Sequence, residues 1–426
     1  MRSELNMRNF LLRTANCQLL RLFLFLLFLL CLILPVSAKD KPYVILISFD
    51  GFRWDYVDRG ITPNLDRFKL DGVSASSLQP VYPSKTFPNH ISLITGMYPE
   101  NHGIILNDFV DPVSGERYRI GDSTQVRGSK WYWGEAFWET AARQGVQTAS
   151  YFWPGSELPE QHRRPHLREL YDHNRPYEDR VDGVLNWLQL PEESRPQFIT
   201  LYFHETDTKG HRFGPVSPEI NEGIKKMDDM LGRLLDGLES IGMADKTNVI
   251  IVSDHGMTEV HTERIVNVEE ILEGYNCQFG GNGPFMMVRP DDEAQLAEIY
   301  NILKTTEDRY DTYYRENIPE YFHFSQNPLI APIFLIADLG WSLETNRSQR
   351  WLQRNPGVGG NHGYDNRALD MHGIFFATGP AFKKGYSTGT VRSIDVYPLL
   401  CEIFGIMPRN NIDGELENIS FLLKGR

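Results

Sequence analysis

The sequence predicts an α/β fold with a mostly parallel central sheet flanked by helices, and two patterns indicate it. Short apolar runs recur along the chain and end at polar residues, which is typical of buried parallel strands. Amphipathic helical segments separate these runs, as alternating strands and helices require. With 426 residues, 41% of them hydrophobic, the chain can bury a large core, and this composition excludes a disordered protein.

Four apolar runs are predicted to be parallel strands, at residues 43–48, 198–203, 249–253 and 373–378. An aspartate follows each of the first three: Asp50, Asp207 and Asp254. In open α/β sheets, ligands bind at the carboxyl ends of the strands. We therefore expect these three carboxylates to converge on one functional edge.

The clearest helix pattern has apolar residues at spacings of four and three, which place one stripe against the sheet. Its members are Ile220, Ile224, Met227, Leu231, Leu234, Leu238 and Ile241. Residues 277–357 lack such regularity and are rich in aromatic residues, proline and asparagine. We interpret them as an irregular insertion or cap near the active site.

The first 38 residues are predicted to be an export signal. Arginines precede an unbroken apolar run at residues 22–34, and small residues end at Ala38. A membrane-spanning helix needs about 20 apolar residues, whereas a signal core needs roughly 7–15. Cleavage after Ala38 is therefore favoured, with a retained membrane anchor as the alternative. The mature protein is then expected to be periplasmic, secreted or extracellular, and to meet a membrane only if the segment is retained.

Charge and cysteine content restrict the partners and the metal chemistry. A net charge of −13 argues against nucleic-acid polymers, but bound metal ions would still attract small anionic substrates. After cleavage only Cys277 and Cys401 remain, either as one bridge or as two free thiols. Any metal site must then use histidines and carboxylates.

Three short motifs add histidines to the aspartates. Asp207 precedes a histidine by four residues, with Gly210 predicted to allow a tight turn; the other motifs are Asp-His-Gly and Asn-His-Gly. Each motif alone is weak, because turns and caps also use these residues. The set gives six candidate ligands: Asp50, Asp207, His211, Asp254, His255 and His362. A catalytic zinc takes three protein ligands, so six suit the two-metal sites of phosphoryl displacement.

Thr86 is the candidate nucleophile. It falls at the start of a predicted helix with Pro88 in the first turn, where free N–H groups favour a phosphate. Coordination to a metal would lower the pKa of its hydroxyl. The alternative is that Thr86 only caps the helix, which is a common role of threonine there.

Six stretches in order resemble the nucleotide pyrophosphatase/phosphodiesterase family of the alkaline phosphatase superfamily. They are ILISFDGFRWDY, PVYPSKTFPNHISLITGMYPENHGI, YFWPGSE, DTKGHRFGP, VSDHGM and GNHGYDN. The resemblance runs from about residue 43 to residue 406. It implies an alkaline phosphatase-like fold and a single phosphodiesterase catalytic domain over residues 39–426.

The resemblance also implies a mechanism with two Zn²⁺ per chain. One zinc would be held by Asp50, Thr86, Asp254 and His255, and the other by Asp207, His211 and His362. Thr86 would attack the phosphorus of a phosphodiester or pyrophosphate in a nucleotide. Water would then hydrolyse the phospho-threonine intermediate and release a nucleoside 5′-monophosphate.

Four further residues match the family's substrate-binding positions: Asn107, Phe87, Tyr202 and Trp153. Asn107 would donate to a phosphate oxygen, and as a neutral group it favours diesters. The aromatic residues would form walls around a base, although core packing is the alternative for each. The family's Glu-Glu-Pro is His204-Glu205-Thr206 here, which leaves fine specificity open.

Two other functions remain as alternatives to nucleotide hydrolysis. The same scaffold carries choline-phosphate or lysophospholipid phosphodiesterases, and the aromatic residues favour nucleotides over these. A catalytically inactive binding relative is the other alternative. The presence of all six candidate ligands and of Thr86 argues against it.

Overall fold

The computed structural model describes residues 42–354 and 357–426, so the predicted signal segment lies outside the described residues. The described strands, in chain order, are β1 (Tyr43–Phe49), β2 (Val73–Ala75), β3 (Leu78–Gln79), β4 (Asp108–Val110), β5 (Arg117–Arg119), β6 (Thr148–Tyr151), β7 (Leu167–Glu169), β8 (Phe198–Phe203), β9 (Thr247–Val252), β10 (Thr258–His261), β11 (Ile265–Asn267), β12 (Cys277–Gly280), β13 (Phe285–Pro290), β14 (Tyr310–Tyr314), β15 (Ile333–Ala337), β16 (Ser342–Glu344), β17 (Val358–Asn361), β18 (Phe375–Thr378), β19 (Tyr386–Thr388) and β20 (Val391–Arg392).

Twelve α-helices accompany these strands in the described ranges, and short 3-10 turns fill many of the connections. The helices are α1 (Pro63–Asp71), α2 (Thr86–Thr95), α3 (Pro99–His102), α4 (Ser123–Val126), α5 (Phe137–Arg143), α6 (Tyr177–Leu188), α7 (Glu205–Phe213), α8 (Pro218–Ser240), α9 (Val268–Ile271), α10 (Leu296–Thr305), α11 (Asn346–Arg354) and α12 (Val396–Phe404). Helix α8 carries the predicted apolar stripe and is capped by Ser217, whose side chain accepts from the Ile220 N–H.

The central sheet has eight strands in the order β19-β2-β18-β9-β1-β8-β6-β7. Strand β1 lies between β9 and β8 and pairs with both in parallel, which confirms the mostly parallel sheet. Strand β18 runs antiparallel to both of its neighbours, so its predicted parallel direction is wrong. An apolar run reports burial on both faces of a sheet but carries no information about strand direction.

Helices cover both faces of the central sheet, because alternate residues of β1 enter different apolar clusters. Ile45 and Ile47 pack into one cluster with residues of α8, including Ile224. Val44 and Leu46 pack into another cluster with α2 and α12. This arrangement leaves the carboxyl edge of the sheet, where the strands end, as the place for a site.

The predicted insertion at residues 277–357 contains regular structure that the sequence pattern does not reveal. Strands β12, β13, β15 and β14 form a second sheet in that order, with every pairing antiparallel, and α10 packs beside it. Only the segment between β14 and β15 lacks longer elements and holds two short 3-10 turns. The strands of this sheet are rich in aromatic residues and bury side chains in two apolar clusters, one on each face. The sequence therefore shows no clear alternation of apolar and polar residues there.

Cys277 and Cys401 are both free thiols. Cys277 is half-buried in β12, whereas Cys401 is buried in α12. This confirms two separate thiols over the alternative of a disulfide. Residues 42–426 form one compact unit, and none of the helices in its described part is long and apolar enough to cross a bilayer.

Candidate active site

Three neighbouring strands bring the acidic residues together. Asp50 follows β1 and Asp254 follows β9, while Asp207 lies in α7, just after β8. The Asp50 N–H donates to the Phe203 carbonyl, which joins the ends of β1 and β8. Because these three strands are adjacent and parallel, their carboxyl ends meet at one edge of the sheet.

Asp207 and His211 share one face of α7, because residues four apart on a helix are neighbours. The predicted tight turn at Gly210 is therefore wrong, since the residue is inside the helix. Its lack of a side chain serves packing instead. A Cβ atom there would lie 3.0 Å from the Met257 Cε atom.

The first group of candidate ligands comprises Asp50, Asp254 and His255, all buried. The His255 Nε2 atom lies 3.3 Å from Asp50 Oδ1 and 3.1 Å from Asp254 Oδ2. On its other side, His255 Nδ1 donates to the Gly256 carbonyl at 2.8 Å, which directs the Nε2 lone pair towards the carboxylates. Metal-binding histidines are held in this way.

The second group comprises Asp207, His211 and His362. His211 Nδ1 donates to the Gly360 carbonyl at 2.8 Å, and His362 Nδ1 donates to the Ser84 carbonyl at 2.7 Å. Their Nε2 atoms therefore face each other, 3.1 Å apart, and His211 Nε2 lies 3.2 Å from Asp207 Oδ1. Two opposed lone pairs beside a carboxylate suit a shared cation.

Electrostatics distinguish the two histidines of the second group. Burial lowers the pKa of His362 well below its ordinary value, and nearby His255 adds to the effect. Burial alone would also lower the pKa of His211, but Asp207 outweighs it and raises that pKa. His362 is thus kept neutral, the form in which an imidazole binds a metal.

One oxygen of each carboxylate is buried without a hydrogen-bond partner among the described residues. These atoms are Asp50 Oδ1, Asp207 Oδ1 and Asp254 Oδ2. Burial raises the pKa of Asp50 well above its ordinary value, and the charges of Asp254 and Asp207 raise it further. Unpaired buried carboxylates are costly unless a cation compensates them, so this donor set fits two bound divalent metals.

The two groups touch through stacked imidazoles. The rings of His255 and His362 lie face to face, with centroids 3.5 Å apart and planes inclined by 13°. The six side chains therefore form two adjacent groups with the membership expected from the sequence. Their metal binding itself stays a prediction.

Thr86 is the first residue of α2, and the N-cap position is occupied by Lys85. The Lys85 side chain makes no capping hydrogen bond and Thr86 is not at the N-cap position, so the capping alternative for Thr86 finds no support in the geometry. Its hydroxyl oxygen lies 3.4 Å from His255 Nε2, beside the first group. Thr86 therefore faces the atoms that would hold a metal.

Asn107 is anchored to the start of the same helix. Its Oδ1 atom accepts from the Phe87 N–H at 3.0 Å. This leaves Nδ2 without a hydrogen-bond partner among the described residues, free to donate to a ligand. The Phe87 ring is half-buried and lies edge-on to Tyr118, with centroids 6.3 Å apart.

Tyr202 and Trp153 do not present open ring faces. Tyr202 is 7% exposed and donates its hydroxyl to Asp50 Oδ2 at 2.5 Å. Trp153 is 1% exposed and donates its indole N–H to the His90 carbonyl at 3.2 Å. Their predicted stacking on a base stays a prediction, and this burial does not favour it.

A more exposed aromatic residue lies beside Tyr202. Tyr171 is 45% exposed, and its ring centroid lies 6.2 Å from that of Tyr202. Nearby, His204 is 9% exposed and stacks on His173, with centroids 4.1 Å apart. Tyr171 lies in a loop without periodicity, so the sequence pattern gave no signal for it beyond its aromatic type.

The fold and the two groups of candidate ligands agree with the family resemblance of the motifs, and so does comparison with known proteins. A family model described as type I phosphodiesterase / nucleotide pyrophosphatase matches residues 44–365. The chain belongs to this family, which confirms the resemblance seen in its motifs.

Individual relatives extend the match across the chain. Ectonucleotide pyrophosphatase/phosphodiesterase family member 1 of Rattus norvegicus is 35% identical over 395 residues, which cover 90% of this chain and 43% of that protein. The chain thus spans less than half the length of the first relatives it matches. A bis(5′-adenosyl)-triphosphatase of Xenopus laevis is 36% identical, covering 91% of this chain and 83% of that protein.

Solved structures show the same fold. Murine ectonucleotide pyrophosphatase/phosphodiesterase 5, in an inactive threonine-to-alanine form complexed with AMP, matches with a TM-score of 0.84 and 32% identity. The match covers 90% of this chain and 100% of that one. The human protein 5 matches with a TM-score of 0.83 and 34% identity, covering 90% and 100% respectively. The expected alkaline phosphatase-like fold is confirmed.

Proposed function

We propose that this protein is a two-zinc phosphodiesterase that hydrolyses phosphodiester or pyrophosphate bonds of nucleotides, with Thr86 as the nucleophile. The observation that carries the proposal is the 3.4 Å distance between Thr86 Oγ1 and His255 Nε2. It places the Thr86 hydroxyl beside the first ligand group, whose buried carboxylate oxygens lack hydrogen-bond partners among the described residues. The inactive threonine-to-alanine form of a relative supports the role of a threonine.

The two groups would each hold one zinc ion. Asp50, Asp254 and His255, joined by Thr86, would hold the first; the ligands of the second would be Asp207, His211 and His362. When bound, the ions supply Lewis acidity, which lowers the pKa of a hydroxyl and neutralises charge on a phosphoryl group.

Catalysis would proceed in two displacements at phosphorus. The Thr86 oxygen attacks the phosphorus and the bond to the leaving alcohol or phosphate breaks, while the hydroxyl proton passes to solvent and the leaving oxygen takes up a proton as needed. Water then attacks the phospho-threonine on the same phosphorus, which frees Thr86 and a nucleoside 5′-monophosphate. The free Nδ2 of Asn107 donates to a non-bridging phosphate oxygen, where charge grows during both steps.

Asn107 and the exposed rings support a nucleotide diester as the substrate. A neutral donor leaves room for the second ester substituent of a diester. Phe87 follows the nucleophile directly, and Tyr171 offers an exposed ring near the ligand groups, so these two are the stronger candidates for stacking a base. Trp153 and Tyr202 would support the site from the core.

The segment before the described residues bears on location. We propose that residues 1–38 direct export and that residues 39–426 act as one catalytic domain outside the cytoplasm. The relatives named ectonucleotide pyrophosphatases support this location. The full chain has a net charge of −13, and loss of the arginine-rich first 38 residues would make it more acidic. Such a protein would act on small anions attracted by its metals, without a nucleic-acid polymer as partner.

A substrate panel tests the proposed function. We would compare kcat/KM for nitrophenyl thymidine monophosphate, ATP, a dinucleoside polyphosphate and a nitrophenyl choline phosphodiester. We expect the nucleotides to exceed the choline diester by about 10-fold or more, since one stacked base contributes roughly 1–3 kcal/mol. A preference for the choline diester would favour the lipid-type alternative, and turnover of none of the four would overturn the proposal.

A further inference from the structure

His90 connects three elements that build the first ligand group. It lies one turn after Thr86 in α2 and is fully buried. Its Nδ1 atom lies 2.8 Å from the Thr86 carbonyl and 3.3 Å from Asp254 Oδ2, and its Nε2 atom lies 2.8 Å from the Ser48 hydroxyl. One side chain thus contacts α2, the loop after β9, and β1.

These contacts fix which nitrogen carries the proton. A carbonyl only accepts hydrogen bonds, so the His90 Nδ1 must carry the proton that is donated to Thr86, and this N–H lies 3.3 Å from the Asp254 carboxylate. The Nε2 atom then meets Ser48, whose hydroxyl can donate or accept. The Nδ1–H therefore donates to the start of the nucleophile's helix and lies in electrostatic contact with Asp254 of the first group.

Two aromatic rings pack against the His90 imidazole and hold its position. Trp153 and Tyr202 both lie edge-on to the His90 ring, with centroids at 5.0 Å and 5.2 Å. Trp153 also donates to the His90 carbonyl. With core rings packed around it, the imidazole cannot swing away from Asp254 without displacing them.

We propose that His90 is a positioning residue, whose Nδ1–H holds the Thr86 backbone by a hydrogen bond and the Asp254 carboxylate by electrostatic attraction at 3.3 Å. Asp254 Oδ2 faces His255 Nε2 at 3.1 Å, so a change at His90 reaches the first group directly. Among the described residues, none of the second group contacts His90, and the geometry of that group should not depend on it. The inference rests on the proposed function, because it assigns Asp254 and Thr86 to the reaction.

Two substitutions distinguish the roles of the two ring nitrogens of His90. In His90→Asn the amide nitrogen can take the place of Nδ1, whereas in His90→Gln the longer side chain places its amide near Nε2. The matched control is His102→Gln. His102 is equally buried and contacts α2 through the Pro88 carbonyl and Ser92, but none of its hydrogen bonds reaches a candidate ligand.

Zinc affinity by chelator competition and steady-state kinetics on nitrophenyl thymidine monophosphate provide the readouts. We expect His90→Gln to lower the affinity for one of the two zinc ions by about 10- to 100-fold, as the loss of a contact that supports a metal ligand typically does. The variant should also lower kcat more than it changes KM. His90→Asn should restore most of both losses. His102→Gln should lower the melting temperature while leaving both zinc affinities within about threefold.

The outcomes are separable. Equal weakening of both zinc equivalents in both His90 variants, or in the His102 control, would show a general structural effect and overturn the inference. Unchanged zinc binding and kcat in His90→Gln would also overturn it. A wild-type chain without zinc binding or turnover would overturn the proposed function, and the inference with it.

Discussion

The Tyr202 hydroxyl donates a hydrogen bond to Asp50 Oδ2 at 2.5 Å, which leaves Asp50 Oδ1 directed towards His255 Nε2. A ring expected to stack on substrate thus orients a carboxylate of the first group. The two roles predict different results for Tyr202→Phe. Stacking would survive the loss of the hydroxyl, whereas orientation of Asp50 would not.

We expect Tyr202→Phe to weaken zinc binding and to lower kcat about 10-fold, with little change in nucleotide KM. The hydroxyl favours the charged form of Asp50, and its loss raises the pKa of that carboxyl further in the metal-free chain. Protons then compete with zinc at higher pH. The pH at which zinc dissociates on acidification should therefore shift upwards in the variant, measured by zinc release from pH 8 to 4. Unchanged zinc release, kcat and nucleotide KM in the variant would instead favour stacking as the role of Tyr202.

Thr86→Ala tests the nucleophile. The variant lacks the hydroxyl but keeps Asp50, Asp254 and His255, so it should retain both zinc ions by elemental analysis. Turnover of nitrophenyl thymidine monophosphate should fall at least about 1,000-fold, because a lost nucleophile removes the covalent route. Thr86→Ser keeps a hydroxyl and should retain measurable activity. A Thr86→Ala protein with near wild-type turnover would disprove the role.

Metal removal should destabilise the fold at the carboxyl edge of the sheet. Three buried carboxylate oxygens without partners in the described ranges would lose their compensating cations. With free zinc at about 1,000 times Kd, each ion contributes about 4 kcal/mol to the free energy of unfolding. We expect about two zinc ions per chain and a lower melting temperature after chelation, restored by zinc but not by magnesium, whose ligand preference is oxygen. An active, equally stable metal-free chain would exclude the two-zinc mechanism.

Gly51 sets the distance between β1 and α7. It has a φ of +66°, and an added Cβ would lie 2.9 Å from the Asp207 Cα atom. We expect Gly51→Ala to displace Asp207 and to weaken zinc binding at the second group about 10-fold. Gly60→Ala is the matched control, because Gly60 has a φ of +67° with open space around its Cβ position.

Both glycine variants should lose roughly 1–2 kcal/mol of unfolding free energy from the left-handed backbone, measured by denaturant titration. Only Gly51→Ala should also change zinc affinity and activity. Equal activity in the two variants would show that the close approach to Asp207 is without consequence.

The sequence predicts the positions of those site residues that follow a strand or belong to a family motif. Asp50 and Asp254 follow apolar runs, and burial of such runs in a parallel sheet gives a dependable position. The helical setting of Asp207 and His211 was not predictable, since a glycine between them suggests a turn as readily as a helix. Gly210 lies close to Met257, a residue distant in sequence, and this explains the glycine in a helix without being visible in the motif.

Roles that depend on three-dimensional neighbours could not be predicted. The antiparallel direction of β18 depends on the connection that precedes it, not on its apolar residues. Tyr202 and Trp153 were recognisable as aromatic residues, but only their contacts with Asp50 and His90 show them in the core. The second sheet escaped detection because its central pairing, between β13 and β15, joins segments far apart along the chain.

The two ligand groups are completed at different points along the polypeptide. Asp50, Asp254 and His255 are all present once the first 255 residues have been made, whereas the second group waits for His362. During synthesis, therefore, the ribosome delivers the ligands of one proposed zinc site well before those of the other. A chain that stops within residues 277–357 would carry the residues of a one-metal protein, with Asp207 and His211 still lacking their third partner.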